Sequence, residues 1–137
     1  LKNRILLAFS LLILVGCAPQ QWTTASQEQE LLVQTSWQEL KKPNEDGATM
    51  RLNVWVQNQG SSPVEYDLGF EFFQNGKQIE KAHAGTLCAK PGISYKGKVS
   101  GTYFEPVGIS KEQLADSTIV VEITPLNIQK VEACSKD

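Results

Sequence analysis

Chemistry in this chain rests on three cysteines, a single histidine and a row of carboxylates. With His83 the only histidine, a serine nucleophile has one candidate base, and no Gly-x-Ser-x-Gly elbow accompanies it. His83 and Cys88 make two potential ligands where a structural zinc site takes four. Glu65, Asp67 and Glu71 recur at period two, which places their carboxyls on one strand face at a separation a glycosidase pair can use. Any solvated sheet offers the same spacing. Asn44, Glu45 and Asp46 present oxygens to a hard cation but lack the EF-hand pattern. There is no glycine-rich phosphate loop. No catalytic residue, metal site or cofactor is therefore expected, and the side chains left with chemistry to do are Cys17, Cys88 and Cys134.

Cys17 closes a segment with the layout of a secretory signal. Lys2 and Arg4 supply a positive start, Ile5 to Val15 is apolar except for Ser10, and small Gly16 precedes the cysteine. The run is about half the roughly 20 apolar residues of a spanning helix, and Pro19, Gln20 and Gln21 follow at once. Leu14-Val15-Gly16-Cys17 resembles the lipobox of bacterial lipoproteins. The resemblance implies cleavage before Cys17 and acylation of both its sulfur and its new amino group. Several acyl chains hold a protein on a membrane without a crossing helix. Residue 18 is Ala rather than Asp, which in such lipoproteins implies the outer membrane, facing the periplasm.

Residues 1–16 are thus expected as a signal peptide, 17–29 as the lipidated cysteine and a flexible tether, and 30–137 as one domain. The 121 residues from Cys17 onward suffice for a single hydrophobic core. The full chain carries a net charge of −2, and loss of Lys2 and Arg4 makes it −4. That balance argues against nucleic acid, whose phosphates need a basic patch, and against electrostatic adhesion to anionic lipid. Cys88 and Cys134 then remain as an even pair in an exported chain, where a disulfide is the expected state. Two separate buried thiols are the alternative; a redox pair would want a Cys-x-x-Cys spacing.

The elements that must carry these residues read mostly as strands. Ala18 to Gln29 has little to bury, and Trp22 is placed either at the lipid interface or in no contact at all. Leu31, Val33, Thr35 and Trp37 share one face of the next segment. A polar turn spans 41–47. Met50, Leu52, Val54 and Val56 alternate with polar neighbours, as do Val64, Tyr66, Leu68, Phe70 and Phe72. Asn75-Gly76 is suited to a tight type I′ hairpin, and the polar strand from Lys77 to Leu87 suits an edge. Tyr95 to Tyr103 alternates again. Ser110 with Gln113 fits a capping box opening a short helix near 110–115. Ile119 to Ile123, and Leu126 to Val131 after Pro125, complete about seven antiparallel strands, the pattern of an all-β sandwich.

Residues 50–104 resemble small immunoglobulin-like bacterial domains of the FxLYD type. The parallel runs through Val54-Trp55-Val56-Gln57-Asn58-Gln59-Gly60, Pro63-Val64, Phe70-Glu71-Phe72-Phe73, Asn75-Gly76-Lys77, and Leu87 with Pro91-Gly92. The name-giving Asp is Gln74 here, and the Leu position holds Phe72. The resemblance implies an immunoglobulin-like β-sandwich serving as an interaction or scaffold module, and brings no catalytic residues.

Function is therefore expected in recognition. Trp55 and Phe73 lie on the polar sides of their strands and would share an outer face if those strands paired as a hairpin. There they would nucleate a docking patch for another envelope protein; the alternative is that this face is covered. A second expectation is a small-ligand or glycan site near Tyr66, Tyr95 and Tyr103, which a concave cavity with convergent polar groups would favour over a filled sandwich.

Overall fold

The computed structural model describes residues 21–96 and 102–135. Nine strand segments and one short helix follow in order: β1 Thr23–Glu28, β2 Leu31–Glu39, β3 Met50–Asn58, β4 Val64–Gln74, β5 Lys77–His83, β6 Leu87–Ala89, β7 Ser94–Lys96, β8 Tyr103–Phe104, α1 Lys111–Ala115 and β9 Ile119–Lys130. Every strand pair is antiparallel. In one sheet β1, β2 and β3 lie side by side, and β7 and β8 share the far side of β3. In the other, β4 is central, with β9 along one side and β5 and β6 along the other. The two sheets form the expected β-sandwich.

Alternation makes the core. On β3 the even-numbered Leu52, Val54 and Val56 are buried, and on β4 the even-numbered Val64, Tyr66, Leu68, Phe70 and Phe72 are buried against them. Successive side chains of a strand point to opposite faces, so one register buries the whole apolar set. Phe104 on β8 stacks on Phe72 and Phe70, with ring centroids 5.1 and 5.7 Å apart, and so couples the two sheets.

The turn chemistry follows the sequence. Asn75 (φ 50°) and Gly76 (φ 78°) both adopt left-handed backbone in the two-residue loop between β4 and β5, as a type I′ turn requires. Ser110 accepts from the Gln113 N–H, and the Gln113 side chain accepts from the Ser110 N–H, closing the capping box on α1. Lys111 reaches back to Glu39 at 2.9 Å and ties the helix to the end of β2. The hydrogen bond that Lys111 donates to the Glu39 carboxylate, and then that carboxylate's charge, hold the Lys111 ammonium above the ordinary lysine value. This contribution is present at neutral pH and fades as pH rises through the raised value. The pair is exposed, so salt screens it.

Three segments differ from the sequence expectation. Thr23–Glu28 is not a tether: it is a strand hydrogen-bonded to β2, and Gln29 (φ 52°) turns the chain between them. All six side chains are exposed or half-exposed, so the strand is held by its backbone and leaves no apolar period to read. The expected break at Pro125 is absent, because β9 carries Pro125 within a single twelve-residue strand whose register against β4 shifts nearby. The segment read as one strand from Tyr95 to Tyr103 shows β7 and β8 at its two ends, and residues 97–101 lie outside the described part.

Asn58, fully buried at the end of β3, holds the crossover from one sheet to the other. Its amide donates to the carbonyls of Ser62 (2.8 Å) and Ala89 (2.9 Å), and its Oδ1 accepts from the Gly60 N–H (2.9 Å). An Asn58→Ala variant removes all three bonds, one of them buried and two part-buried. The expected cost is about 2–3 kcal/mol, read as a lower urea midpoint at unchanged slope.

Candidate binding surface

Cys88 and Cys134 are joined, with their Cα atoms 5.7 Å apart. The bridge ties β6 to the segment beyond β9, so the C-terminal end of the chain is fastened to the second sheet. Cys17, and residues 1–16 expected as a signal peptide, lie outside the described residues. No helix among the described residues is long and apolar enough to cross a membrane.

Trp55 and Phe73 do not share a face. β3 and β4 belong to different sheets, so the two side chains point from opposite outer surfaces of the sandwich. The reason is the crossover at 59–63: a polar turn between two alternating strands reads the same whether the strands pair or pass between sheets. Trp22, expected in the tether, instead packs edge-on against Trp55 at 5.7 Å between centroids. Elsewhere on the first sheet and its flanking loops, polar groups are tied to one another. Asn53 donates to Gln38, the Arg51 guanidinium pairs with Glu105 and lies 4.7 Å over the Tyr103 ring, and Asn44 donates to Glu105 at 2.7 Å. The Asn44 Oδ1 is occupied as well, by the N–H groups of Asp46 and Ala48.

The tyrosines expected around a pocket are also apart. Tyr66 is buried in the core, whereas Tyr103 lies on the outer face of the first sheet beside Arg51. The Tyr95 side chain lies outside the described residues.

Glu71 and Asp67 of β4 face outward toward β5. Glu71 pairs with Lys81 at 2.8 Å, and Asp67 with half-exposed His83 at 3.4 Å. Among the described residues, no group of three or more His, Cys, Asp or Glu is placed to hold a metal ion.

What the sequence did not reveal is the side of the molecule where β1 and β9 meet. Both are outermost strands, and each is hydrogen-bonded on one side only among the described residues. They approach each other, yet a cleft of about 400 Å³ remains between the sheets there. It is lined by Thr23 and Gln21, by Thr35, Ser36 and Trp37 of β2, by Leu52, and by Ile119 and Val121 of β9. No charged side chain lines it. Just outside, Val120 is half-exposed and stands directly across from Phe73 on the outer face.

The two sides of the second sheet differ in kind. β5 carries Lys77, Glu80, Lys81 and His83 along seven residues, the charged dressing that keeps an outer strand from pairing with strangers. Ile119–Thr124 of β9 is β-branched at every position but Glu122. Such a segment is a template for another strand. A pattern of exposure along β9 could have suggested this from sequence only if its single partner strand had been known.

Comparison of the chain with protein-family models, with curated proteins and with solved structures found no match.

Proposed function

We propose that this chain is a non-enzymatic, lipid-anchored envelope protein that docks another envelope protein. In this reading residues 1–16 direct export, Cys17 carries the acyl chains, and the domain stands on the outer membrane, facing the periplasm. The Cys88–Cys134 bridge supports an oxidising compartment. The observation that carries docking is the undressed side of β9, which among the described residues is hydrogen-bonded to β4 alone and sets its free side beside apolar side chains, while β5 is dressed with charge. With β1 starting at Thr23, the domain begins six residues after Cys17. At about 3.3 Å per extended residue the domain then stands within about 20 Å of the bilayer, so its partner is itself at or near that membrane.

The cleft supports a second reading, a small neutral ligand taken between Trp37, Thr35 and Thr23. It differs from the site expected around Tyr66, Tyr95 and Tyr103.

The test is photo-cross-linking in intact cells of the source organism, with a photoreactive residue at Val120, Ile79 or Val107, all exposed. Docking predicts one discrete protein adduct from at least one position, competed away by the untagged chain and lost in Cys17→Ser. Absence of a competed adduct at all three positions contradicts the reading.

A further inference from the structure

We propose that the side of the sandwich between β1 and β9 is a strand-acceptor groove. Its occupant is an extended segment of the partner protein that adds to β9 along Ile119–Thr124. This rests on the docking reading and specifies its mode.

Three features meet at this place. The first is backbone: among the described residues β9 is hydrogen-bonded only to β4 over these positions, so alternate N–H and C=O groups face outward from the sheet. Only another extended backbone satisfies such a row in full. The second is the cleft. Side chains of an added strand alternate between faces, and those pointing inward would enter the space lined by Trp37, Thr35, Ile119 and Val121. Those pointing outward would lie beside Val120, which Phe73 backs from the neighbouring strand β4. Both faces of the incoming segment therefore meet apolar neighbours.

The third is charge. Glu122 is the only ionised side chain in Ile119–Thr124, it points outward, and it stands across from Glu71. Glu71 is engaged by Lys81, which leaves an acidic spot at the middle of the acceptor strand. The segment that fits is thus β-branched on both faces with one lysine or arginine opposite Glu122. In this arrangement Phe73 supports Val120 from β4, and Trp55, on the other sheet, takes no part.

The experiment uses the full chain purified in detergent and followed by hydrogen-exchange mass spectrometry. The probe is a six-residue capped peptide of alternating valine and threonine with one central lysine. At about ten times its Kd, exchange over Ile119–Thr124 should slow about tenfold while β5 is unchanged. A Glu122→Lys chain should lose this response and regain it with a peptide whose lysine is replaced by glutamate. Val120→Lys, at an exposed position, should lose the response to both peptides. No slowing, or equal slowing on β5, overturns the groove. Protection that grows with protein concentration without peptide assigns the groove to a second copy, and protection already complete at every concentration assigns it to the chain's own residues; either overturns a foreign strand. Competed adducts from Ile79 or Val107 together with an inert groove would leave docking standing and remove only its mode.

Discussion

The double variant Cys88→Ser, Cys134→Ser is expected to melt about 15 °C below the parent, a loss of about 4 kcal/mol. The bridge closes a loop of 46 residues that contains β7, β8, α1 and β9. Without it the unfolded chain recovers the freedom of that loop, and freedom in the unfolded state is the larger part of what a crosslink removes. The folded state loses less, because β9 stays paired with β4 along most of its length and the Val131 N–H still reaches the Pro63 carbonyl at 3.0 Å. The variant should therefore fold, with β-sheet circular dichroism preserved at low temperature. Thermal melting of parent and variant, each with and without reductant, measures the effect. Reductant should bring the parent down to the variant and leave the variant unmoved. A difference under about 3 °C would mean that strain in the native bridge cancels its entropic gain.

Phe72→Ala is the other large effect, about 3–5 kcal/mol. Phe72 is wholly buried on β4, across from Val121 on β9 and Glu80 on β5, with its ring stacked on Phe104 of the opposite sheet. Removing the ring empties a space walled by both sheets, and strands fixed by their hydrogen bonds cannot close around it. Phe73→Ala, one residue along and facing out, should cost less than about 1 kcal/mol. Urea unfolding of the two variants reads the contrast directly. Comparable losses would place the second phenylalanine in a covered face and remove it from the recognition surface.

Local features were legible because local chemistry decides them. Asn75-Gly76 turns the β4–β5 hairpin since those residues tolerate left-handed backbone, and Ser110 with Gln113 caps α1 since their side chains reach the first-turn N–H groups. The inner faces of β3 and β4 followed from alternation, and the Cys88–Cys134 pairing from the parity of the two thiols that remain once Cys17 is set aside. What stayed hidden depends on partners distant in sequence. β1 buries no side chain deeply, so only its hydrogen bonds to β2 define it. Alternation along β3 and β4 does not say whether two neighbouring strands pair or part, and that choice separates Trp55 from Phe73. The undressed side of β9 is a property of which strand lies outermost, set by its pairing with β4 across more than forty residues of intervening chain. Trp22 looked idle for the same reason: its neighbour Trp55 is brought to it by the β1–β2–β3 order.

The central claim is an acylated, oxidised, membrane-held domain, and intact-mass measurement of the chain extracted from membranes tests it most directly. The account predicts one species that begins at Cys17, carries the mass of its acyl groups, and lies two hydrogens below the reduced mass because Cys88 and Cys134 are joined. Reduction should add that mass back, and a Cys17→Ser chain should keep its leader uncut and lack the lipid mass. A species retaining residues 1–16 with a free thiol at Cys17, or one cut elsewhere and recovered without acyl groups, would contradict it.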